Sequence, residues 1–256
     1  MEYKKTIKKA LLNILDPVVK RLGYKHHLTF VNPYAKNTLL KGVFDNFSAL
    51  GFEPKHIVDV GANHGTWTRE ILRYVPDAYY TLLEPQNWLQ PSFQDILDQN
   101  KKVEYHPVGA GKEEGSFNFT IVNRDDSCSF RYTEKEAKEK GFKQIEIPVI
   151  TLNKIVEKQI NKPFPDLVKI DAEGLDIEVL EGASDLFGKT EVFMVEAAVF
   201  NKSFDNTIAK LIRYMENKGY VVFDITDLNR PFQPQLLWLI ELVFVRKDGV
   251  LNSYEI

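Results

Sequence analysis

The sequence predicts an α/β fold: a seven-stranded, mostly parallel sheet with helices on both faces and a C-terminal antiparallel hairpin. Three observations carry that reading. Short apolar runs alternate with amphipathic segments from about residue 56 onward. The run Ile57-Val58-Asp59-Val60-Gly61-Ala62-Asn63-His64-Gly65 ends in an acid and two closely spaced glycines, the pattern of a buried strand turning tightly into a helix. The last two strand patterns have no helical segment between them. A parallel crossover needs about a dozen residues, so those two strands pair antiparallel.

Taken in order, residues 1–50 read as an N-terminal helical extension. Ile7, Leu11, Ile14 and Val18 recur at helical spacing, with Lys4, Lys5, Lys8 and Lys9 on the opposite side, and Asp16-Pro17 interrupts the pattern. The segment 4–22 suits packing on the main domain or on a second copy in a homodimer, with weak membrane-surface contact as the alternative. A second helix is expected at 39–50. The main domain, 51–256, opens with a strand at His56–Val60 and a helix at 66–74. A strand at Tyr79–Leu83, a helix near 89–99 and a strand at Val103–His106 follow.

The stretch 109–148 breaks the alternation. Residues 116–121 and 144–150 read as extra strands at the sheet edge or over the site, and Glu134–Lys140 as a solvated helix with charges three and four apart. This insertion, about 112–150, falls near the carboxyl ends of the strands, where open sheets bind ligands, and reads as a lid. Strand Leu167–Ile170, helix Asp176–Glu181, strand 192–195 and helix 206–218 resume the pattern. Strands at 221–225 and 238–246 close it, joined by a loop bearing Pro231 and Pro234.

The bulk composition narrows the function. The 256 residues fit one large α/β domain with an appendage. Lys and Arg number 33 against 36 Asp and Glu, a net charge of −3 that gives no reason to expect a nucleic-acid partner. The single cysteine, Cys128, excludes an intramolecular disulfide and fits a reducing compartment. No apolar run approaches the ~20 residues of a transmembrane span. The charged start lacks a signal-peptide core, so the expected location is the cytoplasm.

The chemistry begins at Asp59, Gly61, Asn63 and Gly65. A dinucleotide fingerprint would place glycine where Asn63 stands, which counts against a nicotinamide cofactor. A carboxylate aimed at the ligand repels pyrophosphate and suits a cationic amino-acid group, which points to S-adenosyl-L-methionine. Glu84 ends the second strand, where acids bind a ribose diol, and Pro85 turns the chain sharply after it. Asp171 and Glu173, at the end of the strand beside the first, and Glu196, ending the next, are candidate bases or hydroxyl-binding groups for transfer to oxygen. His64 is a further candidate base. Ser127, in the loop Asp125-Asp126-Ser127-Cys128-Ser129, is placed to touch the acceptor. Asp171 and Glu196 also raise Mg²⁺, but no second histidine or tight carboxylate cluster supports it, and no metal is expected.

These residues together resemble the FkbM family of S-adenosylmethionine-dependent methyltransferases. The resemblance rests on Val58 to Gly65, Glu84-Pro85, Val108-Gly109-Ala110-Gly111 followed by Gly115, and Asp126-Ser127-Cys128-Ser129. It continues through Thr151-Leu152-Asn153, Leu167 to Gly174, Val179-Leu180-Glu181-Gly182-Ala183 and Val195-Glu196. It implies a Rossmann-like class I methyltransferase fold and O-methylation, often of hydroxyls on sugars or polyketide-type natural products, with S-adenosyl-L-homocysteine as product. By position it implies that Asp59, Gly61 and Asn63 line the methionine end of the cofactor, that Glu84 takes its ribose, and that Val108-Gly109 borders the adenine with Asp171 near the methyl group. The family usually reads Thr-Leu-Asp where this chain has Thr151-Leu152-Asn153. The third strand also lacks the acid that many methyltransferases use on the adenine amino group, which leaves backbone contacts for that work. The expected partner is a small-molecule or glycan acceptor, and the alternative is a non-catalytic module that keeps the fold to bind one.

Overall fold

The computed structural model describes residues 38–159 and 161–253. The basic segment 4–22, and the dimer or membrane contacts expected of it, lie outside the described residues. The first described helix, α1 (Thr38–Ala49), buries Leu40, Val43, Phe44 and Phe47, three and four apart on one face.

Seven strands form the main sheet: β1 (His56–Val60), β2 (Tyr79–Leu83), β3 (Val103–His106), β7 (Leu167–Ile170), β8 (Val192–Ala198), β9 (Tyr220–Asn229) and β10 (Leu239–Arg246). Their order is β3-β2-β1-β7-β8-β10-β9. Pairing is parallel from β3 through β8, whereas β10 runs antiparallel to both β8 and β9. The order reverses between β1 and β7, which opens a crevice at their carboxyl ends. This is the Rossmann-like methyltransferase arrangement expected from the sequence.

Every residue of β1 is buried, as a central parallel strand requires. Ile57 faces a core shared with α1 and with α2 (Thr66–Ile71), while Val58 and Val60 face the opposite core. That second core holds Leu152 and Ile155 of α5 (Leu152–Lys158), Val179 and Leu180 of α6 (Asp176–Glu181), and Leu211 and Met215 of α7 (Ile208–Asn217). Strand alternation therefore sends Asp59 toward the α1/α2 side, the single acid in an otherwise apolar run.

The remaining elements refine the expectation. Helix 66–74 is α-helical only as far as Ile71. The segment 89–99 divides because Pro91 lies in a 3₁₀ turn, Asn87–Ser92, before α3 (Gln94–Gln99) begins. The insertion does not extend the edge of the main sheet. Strands β4 (Gly109–Ala110), β5 (Gly115–Ile121) and β6 (Lys143–Ile150) make a separate three-stranded sheet in the order β4-β6-β5. Helix α4 (Glu134–Lys140) lies between its two longer strands, started by a capping box of Thr133 and Glu136. Helix α5 was not expected. Thr151 caps it by accepting from the Lys154 N–H at 3.2 Å.

Candidate functional site

The turns leaving β1, β2 and β7 converge on a cleft of about 640 Å³, its open mouth included. Its floor is laid by backbone bonds that tie the strand ends together. Gly61 and Ala62 both donate to the Leu83 carbonyl, at 2.9 and 3.1 Å, and Asp171 donates to Val60 O at 3.2 Å. Gly61 has φ +74, and a Cβ there would stand 2.0 Å from the Asp171 carbonyl oxygen. Only glycine lets the first turn lie this close to the end of β7. Gly65 closes the turn, donating to Ala62 O at 2.7 Å, but does not reach the cleft wall.

Glu84 lies on the cleft wall with Pro85 beside it and is 3% exposed. Its two carboxylate oxygens accept from the backbone N–H groups of Asn63 and Gln86, each at 2.8 Å. Burial raises its pKa, while those two donors and Lys169 pull the other way. Asn63, at φ +47, reaches across the cleft, and its Nδ2 donates to the Asp125 carbonyl at 3.2 Å. Gln86 Nε2 donates to the same carbonyl at 2.9 Å. The loop after β5 is thus latched to the turns after β1 and β2. Val108, Gly109, Phe119, Cys128, Ser129 and Phe130 complete that side of the wall.

Asp59 takes no part in the wall. It is fully buried, accepts from the Thr68 hydroxyl at 2.6 Å, and stands 3.5 Å from Lys169 Nζ. Lys169 is its register partner on β7. The same ammonium is 3.2 Å from Asp171 Oδ2 and donates to Gly61 O at 3.3 Å. Burial, the largest influence on Lys169, works against its charge, yet Asp171, Asp59 and Glu241 overcome it and raise its pKa. The acid of the first motif therefore acts through Lys169, which clamps the Gly61 turn and Asp171 together.

Beyond Asp171 the site becomes acidic. Glu173 sits at φ +53, a conformation uncommon for a glutamate, and lines the cleft. Burial pushes its carboxyl up to about 9, helped by the charges of Asp171, Asp176 and Asp126 and opposed by Arg131. Asp176 is fully buried, accepts from the Ala172 N–H at 2.8 Å, and is also raised by burial. Glu196 is raised well above the usual carboxylate range by burial and by the neighbouring acids, and its Oε2 has no hydrogen-bond partner. Burial and mutual repulsion therefore shift three neighbouring carboxyls toward protonation, while Asp171 is ion-paired to Lys169.

Other candidates are dispersed. His64 is exposed, with Nδ1 3.0 Å from the Ser92 hydroxyl and Nε2 3.5 Å from Asp125 Oδ2; it belongs to a neighbouring hollow on the α2 side. Ser127 bonds Asp126 Oδ1 at 3.3 Å and is not on the cleft wall. Asn153 joins α5 to the turn after α6, donating to Ser184 Oγ at 2.8 Å and accepting from the Asp185 N–H at 3.0 Å. Its departure from the family's acid falls at a structural joint. Burial raises the pKa of the Cys128 thiol, which suits a wall residue and not a nucleophile. Among the described residues no three His, Cys, Asp or Glu side chains converge as a metal-binding set.

Lys169 and Ser129 stand in motifs that the sequence singles out but receive no role of their own there, and Gln86 goes unmarked. A lysine inside the apolar run Leu167-Val168-Lys169-Ile170 is a signal for the first. No local pattern marks Gln86.

Residues 59–222 match the family profile described as "Methyltransferase FkbM domain". "Methyltransferase 1" of Beauveria bassiana is 24% identical over 182 residues, which cover 65% of this chain and 72% of that protein. Among solved structures, a 1,6-didemethyltoxoflavin-N1-methyltransferase of Burkholderia thailandensis superposes with a TM-score of 0.48 at 9% identity, covering 96% of this chain and 90% of the other. A precorrin-6y C5,15-methyltransferase of Geobacter metallireducens gives 0.43 at 13% identity, covering 83% and 92%.

Proposed function

The chain belongs to the FkbM methyltransferase family, and from that premise we propose that it moves a methyl group from S-adenosylmethionine to an acceptor hydroxyl on a sugar or glycan. The family's donor is S-adenosylmethionine, and the residues present fit it. Glu84 lines the cleft at the end of β2, where a ribose diol is held, beside a first turn that keeps no side chain at Gly61. When bound, the cofactor supplies an activated methyl on a sulfonium.

The observation that carries transfer to oxygen is the contrast between Asp171 and its acidic neighbours. Transfer to oxygen would release the acceptor's hydroxyl proton, which needs a destination. In this reading Asp171, held by Lys169 at the cleft, takes it. Glu173 keeps its own proton up to about pH 9 and orients the hydroxyl by hydrogen bonding. Glu196 is buried close enough to feel the charges of Asp171, Asp176 and Glu173 but does not line the cleft. Positioning supplies most of the rate, because the donor is already reactive.

Phe200 in the loop after β8, and Phe232 packed on Trp238 at 5.3 Å between ring centres, are both more than half exposed. A polyketide-type alcohol is the second reading. Among the described residues no helix is long and apolar enough to cross a membrane; with its lone cysteine, the cytoplasm is the location we assign to the activity. The test is methyl-labelled S-adenosylmethionine offered with a panel of glycosides and polyketide-type alcohols. Label in a sugar methyl ether supports the proposal. Label only in N-methyl or C-methyl products refutes it.

A further inference from the structure

Two residues that line the cleft each carry a buried polar atom without a partner: Gln86 Oε1 and Ser129 Oγ. Both residues are 2% exposed, so water does not readily satisfy them, and a buried polar group without a partner is costly. The Gln86 amide is fixed in orientation. Its Nε2 donates to the Asp125 carbonyl, and reversing the amide would set oxygen against oxygen. Oε1 is therefore a hydrogen-bond acceptor with nothing to accept from. The backbone of Ser129 is fixed by a two-way bridge to Thr120, which holds its Cβ while the hydroxyl rotates to donate or accept.

Beside them the wall is flat and apolar. A Cβ on Gly109 would stand 2.6 Å from two ring carbons of Phe130, so that ring rests directly on the Gly109 backbone. Phe119 meets Phe130 edge to face at 4.8 Å. An aromatic wall with one fixed acceptor and one adaptable hydroxyl suits a heteroaromatic ring bearing an exocyclic amine.

We propose that Gln86 and Ser129 read the adenine of the cofactor: Gln86 Oε1 accepts from the exocyclic amine, and Ser129 Oγ bonds a ring nitrogen. Side chains thus do what the sequence assigns to backbone contacts. The inference rests on the reading of this cleft as the S-adenosylmethionine site.

The test compares calorimetric titrations of S-adenosylhomocysteine with those of S-inosylhomocysteine, in which a carbonyl replaces the amine. The wild type should prefer the adenosyl compound by about tenfold or more, because the inosyl carbonyl sets an acceptor against Oε1. In Gln86→Met the adenosyl affinity should fall by about tenfold while the inosyl affinity changes little, so the preference collapses. Loss of the Asp125 latch alone would weaken both ligands alike and leave their ratio unchanged. Ser129→Ala should reduce adenosyl affinity in a fold that needs no latch repair. A ratio unchanged in both Gln86→Met and Ser129→Ala, with tight adenosyl binding, overturns the proposal and leaves the cleft assignment standing. Failure of the folded wild type to bind either compound overturns the cleft assignment and the proposal with it.

Discussion

Replacing Gly61 by alanine probes the joint on which the site is built. The residue sits at φ +74, where an alanine pays the left-handed penalty of roughly 1–2 kcal/mol. Its Cβ would also stand 2.0 Å from the Asp171 carbonyl oxygen and 3.1 Å from the carbonyl carbon. Both are backbone atoms, so no rotamer change relieves the contact, and the ends of β1 and β7 must separate at a cost of about 1–3 kcal/mol. The total is roughly 2–5 kcal/mol. Gly188 is the control: φ is +77 and nothing lies within 4 Å of an added Cβ, so Gly188→Ala carries the first cost alone. In urea unfolding at constant m-value, Gly61→Ala should therefore lose about 1–3 kcal/mol more than Gly188→Ala. It should also lose S-adenosylhomocysteine affinity by about tenfold or more, as the turn leaves its place on the cleft floor. Equal stability losses in the two variants, or wild-type affinity in Gly61→Ala, would refute the reasoning.

Removing Lys169 as Lys169→Met leaves Asp59 and Asp171 without their shared cation, a loss of about 3–5 kcal/mol; adding Asp59→Asn should recover part of it in urea unfolding, and strict additivity of the two would count against the clamp. Glu173 binds a proton in the folded state up to about pH 9 that it releases near pH 4.5 when unfolded. Its contribution is therefore fully present below pH 4.5 and falls by at most about 1.4 kcal/mol per pH unit as pH rises toward 9. Glu173→Gln should flatten the decline in Tm between pH 6 and 8, and identical slopes in the two proteins would show that the carboxyl is not held protonated. Glu84→Ala should weaken S-adenosylhomocysteine by about tenfold, read by calorimetry, and unchanged binding would remove Glu84 from the ribose site.

How much of this was legible in the sequence differs element by element. The buried strands at β1, β2 and β7 show as apolar runs because central parallel strands are covered on both faces. The 25-residue step from Asp59 to Glu84 then follows from one strand–helix–strand unit. Asp59 stands off the cleft wall, which one strand alone does not reveal. Only the parallel register brings Lys169 opposite it. The seven-residue α5 escaped notice because it follows directly on β6 and its two turns are too short to display a helical period. Gln86 is invisible for a different reason. Its role depends on the Asp125 carbonyl, 39 positions away, which orients its amide. The three raised carboxyls are likewise a product of packing, because nothing in Asp171-Ala172-Glu173 says which acid will be buried and which paired.

The central claim is that this cleft holds S-adenosylmethionine and no nicotinamide cofactor. Calorimetric titration of the purified protein with S-adenosylhomocysteine, with NAD as control, tests it most directly. The account predicts one saturable site for S-adenosylhomocysteine, abolished or much weakened in Gly61→Ala, and no heat of binding from NAD. Saturable NAD binding, or a folded protein that takes up neither ligand, would contradict it.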